Sequence, residues 1–276
     1  MYNLEKHDAS APIAHGGQAT PARGAFLKAG AAIGTGVALA GMVSRRAMAQ
    51  VEAPIADTGC SESVQDIVNL ALTAELLSTT FYYSGLTSRA VMTDPRTAGS
   101  SGNPDAVATD GNAQNVAYLR AALDQESKHT RILRSLGATA PFDHFYFPPS
   151  AFEELGYTSH VGTFLWVLDH LETASIGAYL AAIRRFDQLG QADLAVLAMR
   201  ILGVECEHRA LYRVVAGDEP ANNVTIEVAS FNCVGDAATV LQPYLTGKGF
   251  PHGAGKPAPV PAQERITRAV GRFVSR

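Results

Sequence analysis

The stretch Ile201-Leu202-Gly203-Val204-Glu205-Cys206-Glu207-His208 decides how this chain is read. It lies inside a proline-free segment, roughly 191–216. Along that segment Leu197, Ile201, Glu205, His208, Tyr212 and Val215 recur at spacings of three and four. Such a period marks a helix with one face turned inward. Glu205 and His208 therefore occupy positions where the period calls for apolar side chains. At a separation of three residues they lie one turn along the same face, about 60° apart. Burial without partners would make both groups costly, so the stripe implies something that satisfies them.

Working outward, three further segments carry a helical period and lack proline, roughly 62–90, 113–136 and 161–188. The second repeats the pattern: Val116, Leu119, Leu123, Glu126, His129, Leu133 and Leu136 form one stripe. In the first, Glu75 is the only charge between Asp66 and Arg89. In the third, Glu172 interrupts the stripe Leu165, Leu168, Ile176, Tyr179 and Ile183. Four long helices, each with a glutamate on its buried face, predict an all-α four-helix bundle with four carboxylates in one core. Two divalent cations neutralise four carboxylates, and two neutral imidazoles complete the donor set. A lone Glu from each of two helices plus Glu-x-x-His from each of the others is the ligand pattern of di-iron and di-manganese carboxylate bundles. The expected metal ligands are thus Glu75, Glu126, His129, Glu172, Glu205 and His208. Oxygen-rich donors with only two imidazoles favour iron, then manganese, over zinc or copper.

Connections fit the same plan. Asp94–Gly111, rich in Gly, Ser, Asn and Asp, reads as a loop. The 24 residues Gly137–His160, with Pro141, Pro148 and Pro149, form a long crossover that would leave helices two and three parallel. Leu189-Gly190 reads as a tight antiparallel turn. Glu75 precedes Glu126 by 51 residues and Glu172 precedes Glu205 by 33; the difference equals the 18 residues of Asp94–Gly111. The two helix pairs thus read as an internal duplication with one insertion. Residues 217–276 predict an irregular extension with short helices near 234–245 and 263–275, and the only strand signal is Val224–Val228.

Composition narrows the class. The 276 residues are 47% hydrophobic and 17% charged, with net charge −4, which excludes a disordered chain. No clustered basic excess points to nucleic acid. No run of 18 strongly apolar residues predicts a transmembrane anchor. Residues 1–49 read differently from the rest: Arg23-Gly24-Ala25-Phe26-Leu27-Lys28, a weakly apolar Gly/Ala stretch, then Ala47-Met48-Ala49 before Gln50. This is the layout of a cleaved export signal. It resembles the twin-arginine type, but Gly24 stands where the second arginine would, which leaves the general secretory route as the alternative. The expected organisation is signal 1–49, bundle 50–216 and extension 217–276, in an exported, periplasmic protein. Cleavage would remove five of 22 basic and two of 26 acidic residues, leaving net charge −7.

The segments Asn69–Glu75, Gln125-Glu126-x-x-His129, Glu172-x-x-x-x-Gly177-Ala178-Tyr179-Leu180 and Ile201–Glu205-x-x-His208 resemble the ferritin-like superfamily, and within it the exported, desiccation-related ferritin-like domain proteins. The resemblance spans roughly residues 60–250. It implies a ferritin-like bundle with two metal ions per chain. The expected activity is redox chemistry with dioxygen or peroxide, as in a di-iron oxidase or peroxidase. The alternatives are a non-catalytic, stress-protective metal-binding bundle and a catalase-like di-manganese enzyme. The cysteine-rich iron module of rubrerythrins is absent, and the insertion and tail would crowd a ferritin cage.

Other residues carry weaker signals. Tyr82, Tyr179 and Tyr212 each follow an expected ligand by seven residues, on its face and about 10 Å along the axis. They read as core aromatics with satisfied hydroxyls, or as hydrogen-bond partners or redox relays of the ligands. Asp124, Asp169 and His170 fit either a supporting role or a solvated face. Cys206, about 100° from Glu205, reads as a small helix-packing residue. Cys60 and Cys233 flank the bundle and are expected to pair in an oxidising compartment, closing a loop of more than 170 residues. Lys256, Arg265, Arg268, Arg272 and Arg276 read as a solvated basic end, with binding to an anionic surface as the second reading.

Overall fold

A computed structural model describes residues 59–97, 113–222 and 230–271. The chain divides into two units, residues 1–56 and 57–276, and every described residue belongs to the second. The export signal, the strand signal Val224–Val228, Arg272, Arg276 and most of the Asp94–Gly111 loop lie outside the described residues.

The four long helices are α1 (Val64–Thr87), α3 (Ala113–Ser135), α4 (Phe164–Gln188) and α5 (Ala192–Ala216); the short α2 (Arg89–Met92) follows α1 directly. Ser63 starts α1 with a capping box: its hydroxyl accepts from the Asp66 amide at 3.2 Å, and the Ser63 amide donates to the Asp66 carboxylate at 2.9 Å. Gly190, at φ +69°, permits the turn between α4 and α5, and the Gln191 amide closes it on the Phe186 carbonyl at 2.8 Å.

Direction follows from the bonds between helix ends. Gln65 donates to the Gly137 carbonyl at 3.1 Å, and the Thr139 amide donates to the Asn69 side chain at 2.8 Å, so α3 ends where α1 begins. At the opposite end Phe164 stacks on Phe81 with ring centroids 4.7 Å apart, and where α1 begins Arg185, late in α4, donates to the Glu62 carbonyl at 3.0 Å. Helix α4 is therefore antiparallel to α1 and parallel to α3, as the long crossover requires. Together the four helices form an all-α four-helix bundle.

Helix α1 is the most enclosed. Ile67, Leu72, Leu77, Phe81, Tyr82 and Leu86 are buried, and so are Thr73, Ser78, Thr79 and Thr80 on its other sides. This explains why its sequence carries one charge over so long a span: a helix covered on all sides cannot present a solvated face. The Thr73 and Thr80 hydroxyls are satisfied by the Asn69 and Leu76 carbonyls at 2.9 and 2.7 Å.

The cover comes partly from two strands that the sequence reading did not expect. Strand β1 (His144–Phe147) lies in the crossover and pairs antiparallel with β2 (Lys256–Pro259), His144 opposite Pro259 and Phe147 opposite Lys256. Four-residue strands give only two alternations, and Pro257 and Pro259 remove two donors, so the pattern carried no strand signal. Phe145 and Phe147 face inward, and Phe147 packs on Phe81 at 5.2 Å. Helix α6 (Ala237–Thr246), entered through a 3₁₀ turn at Val234–Asp236, packs on β1; α7 (Gln263–Val270) buries Ile266, Ala269 and Val270 and packs on α3. A disulfide joins Cys60 to Cys233, tying the start of α1 to the base of α6. Among the described residues no helix is long and apolar enough to cross a membrane.

Candidate metal centre

Each of the six expected ligands is buried at mid-bundle: Glu75 on α1, Glu126 and His129 on α3, Glu172 on α4, Glu205 and His208 on α5. The four stripes converge there because each helix turns its apolar face to the axis, and the interrupting residue follows its stripe inward. Two groups of donor atoms result. Glu75, Glu126, His129 and Glu205 bring atoms within 4.8 Å of one another, as do Glu126, Glu172, Glu205 and His208. Glu126 and Glu205 belong to both groups. Glu75 with His129, and Glu172 with His208, each belong to one.

Both imidazoles present Nδ1 to the carboxylates. His129 Nδ1 lies 3.1 Å from Glu75 and 3.2 Å from Glu205; His208 Nδ1 lies 3.0 Å from Glu126 and 3.7 Å from Glu205. The other nitrogen of His208 is 2.8 Å from the Gln125 side-chain oxygen, which can only accept. Gln125 thereby holds the proton on Nε2 and leaves Nδ1 for the cluster. Sequence reading assigned Gln125 no role. A polar residue beside a ligand carries no sequence signal of which way it bonds.

The tyrosines seven residues after Glu75 and Glu172 cross over. Tyr82 donates to Glu172 at 2.6 Å, and Tyr179 donates to Glu75. Burial, then the charges of Glu172 and Glu75 respectively, push both phenols well above their ordinary range, so they stay protonated donors. This reciprocal exchange is what two superposable helix pairs would produce, in keeping with the duplicated ligand spacing. Tyr212 departs from it: its hydroxyl bonds Asp169, which also pairs with Arg213 at 3.5 Å. Tyr212 is a core aromatic satisfied outside the cluster. Asp124 pairs with Lys128 at 2.6 Å, and His170 bonds the Trp166 carbonyl at 2.8 Å, both away from the cluster. Cys206 points off the ligand stripe as expected, but its side chain is exposed and does not pack between helices.

Electrostatics show the strain of the bare arrangement. Burial, then the Glu205 charge, raises Glu126 well above the carboxylate range, and the same two causes raise Glu172. Burial opposes the charge of Glu205 too, but bonds from His129 and His208 outweigh it and pull that carboxyl down. Burial would lower His129, yet Glu75 and Glu205 drive it up to about 11. His208 is raised by Glu205 and Glu172 against the same opposing burial.

The donor set fits a pair of divalent cations. Both oxygens of Glu126, one each of Glu172 and Glu205, and Nδ1 of His208 are buried and lack a well-aligned hydrogen bond. Buried polar atoms are nearly always satisfied, so five such atoms converging on one axis mark a place for a countercharge.

No curated protein and no solved structure matches the chain. A family model described as ferritin-like domain matches residues 63–218, more than half of the sequence, and ends within two residues of the close of α5. That span contains all four long helices and all six residues of the cluster. The chain belongs to the ferritin-like domain family.

Proposed function

We propose that this chain is an exported di-metal carboxylate protein that reacts reduced metal with dioxygen or peroxide. The observation that carries the reading is the sharing of Glu126 and Glu205 between two buried donor groups, each completed by its own Glu and His. In this reading Glu75, Glu126, His129 and Glu205 would hold one ion and Glu126, Glu172, Glu205 and His208 the other. Bound iron, or manganese in second place, would supply the electrons that reduce dioxygen or peroxide.

The chain's own residues account for the rest. Gln125 orients His208, and Tyr82 and Tyr179 orient the two outer glutamates while donating a proton-bearing hydroxyl to each. A small gap bounded by Tyr82, Tyr118, His208 and Tyr212 lies against one side of the cluster and is wide enough only for a small oxidant. All six ligand residues are buried, each at most 6% exposed.

Anaerobic loading with Fe²⁺ followed by dioxygen or hydrogen peroxide tests the redox reading. Oxidant consumption in proportion to bound iron is expected. An ion-loaded protein that consumes neither, with iron or manganese, would reduce the function to metal binding. Export is tested separately by N-terminal sequencing of the secreted form. Cleavage before Gln50 is expected; intact Met1 on soluble exported protein would contradict it.

A further inference from the structure

Helix α5 is apolar on two faces. Its inner stripe carries Glu205 and His208. On the opposite side Val196, Met199, Gly203, Cys206, Ala210 and Val214 recur at spacings of three and four. Val196, Met199 and Val214 are 48, 57 and 49% exposed; Gly203 and Cys206 are exposed too, and Ala210 is half-buried. Apolar side chains scattered singly over a surface are ordinary, but a continuous row along about five turns marks a contact surface. A helix that is apolar all round is normally covered, as α1 is.

Gly203, at the middle of the row, serves no packing within one chain. In a helix interior it is a weaker helix former than alanine. A Cβ there would meet nothing within 4 Å among the described residues. On an outward face, the missing side chain lets a second backbone come close.

The flanking charges define what meets the row. The exposed charged residues of α5 are Asp193, Arg200 and Glu207, spaced by seven along one edge of it. Gly203 lies midway between Arg200 and Glu207, to within half a residue. A second α5, turned antiparallel about Gly203, therefore sets Arg200 against the Glu207 of the other copy, and Glu207 against its Arg200. At the same register Val196 faces Ala210, and Met199 enters the space between Cys206 and Ala210, large against small. Parallel pairing would instead bring like charges together. A patch that complements itself in this way is the isologous surface of a two-fold dimer.

We propose that two copies of this chain pair through the outer face of α5, antiparallel and crossing at Gly203. The pairing uses no residue of the metal cluster and does not rest on the di-metal reading. One helix pair is at the small end of specific interfaces, so association in the micromolar range is expected.

The test is sedimentation velocity of the full chain, 29.1 kDa, over a range of about 1 to 200 μM. A reversible shift toward twice that mass is expected, stronger at low salt. Arg200→Glu faces a carboxylate with Glu207, and Glu207→Arg faces a guanidinium with Arg200; each should weaken pairing at least tenfold. The double variant should restore it. All three should keep wild-type helicity and metal content. Gly203→Cys in a Cys206→Ser background supplies a second readout, because mild oxidation should link two chains. Asp193→Cys in that background, about 30 Å along the axis from its own copy, should not link. A chain that stays monomeric over the whole range leaves the row to some other partner and overturns the proposal. So would a dimer indifferent to the charge reversals, a double variant that pairs no better than either single one, or linking through Asp193→Cys in place of Gly203→Cys.

Discussion

Glu126 and Glu205 carry the most weight of any residues in this chain, because each faces both donor groups, whereas Glu75 and Glu172 each face one. The supporting residues separate from them by the same geometry. Gln125→Leu removes the acceptor that holds His208 in its tautomer and leaves Nε2 buried without a partner. It should weaken metal binding about 10–100-fold, the usual cost of losing such a partner, without changing the ligand count. Unchanged affinity in a metal titration would show that packing alone orients His208. Protonation gives a second prediction at this scale. Without metal, burial and the neighbouring charges favour the protonated carboxyls of Glu126 and Glu172, and the imidazole of His129, at about 11, is protonated at neutral pH. Metal must displace them, so loading should release protons and affinity should fall as pH falls. For the metal-free fold the sign is opposite. A raised folded-state value stabilises fully below the unfolded value, ordinarily about 6.5 for histidine, and that contribution is lost as pH rises toward the folded one. The metal-free melting temperature should therefore decline between neutral pH and about 10; a rise over that range would contradict the assigned directions. The six cluster residues were legible in sequence because charge on an apolar stripe is conspicuous. Gln125 was not, because a polar residue beside a ligand looks the same whether it bonds across the bundle or meets water.

At the scale of elements, close approach decides more than propensity. Gly85 lies inside α1, where glycine is ordinarily about 1 kcal/mol worse than alanine. A Cβ there would stand 2.2 Å from the Phe164 ring, which is fully buried and stacked on Phe81. Overpacking of a fixed ring costs about 1–3 kcal/mol, so it outweighs or cancels the propensity gain. Gly85→Ala should lower the melting temperature, and a clear rise would show that the ring moves aside. The helices were readable from sequence because each repeats its period six or seven times, and two ends were readable from the Leu189-Gly190 turn and the break in pattern after Gly217; the Ser63 cap was not read. The strands were not. Phe145 and Phe147 alternate only once, and β2 is half proline, so their pairing depends on a partner more than a hundred residues away that no local pattern announces.

For the whole molecule, the Cys60–Cys233 disulfide spans a sequence separation of 173 and holds the C-terminal extension to the start of the bundle. In the chain-entropy model a loop of that length contributes about 5 kcal/mol, less whatever structure the reduced unfolded chain retains. Denatured but unreduced protein should therefore show one reactive thiol, that of Cys206, and reduction should lower the unfolding midpoint; two further thiols would contradict the pairing. The same molecule-wide view bears on the core. Four stripes deliver four carboxylates and two imidazoles to one level of the axis, where two divalent cations would balance their charge. The most direct measurement is metal content per chain, by elemental mass spectrometry, after loading with Fe²⁺ or Mn²⁺ and removal of free ion, with circular dichroism on each sample. The account predicts about two ions in the wild type, about one in Glu75→Ala and fewer than one in Glu205→Ala, all three helical. A folded, fully loaded wild type that retains no stoichiometric metal would contradict it.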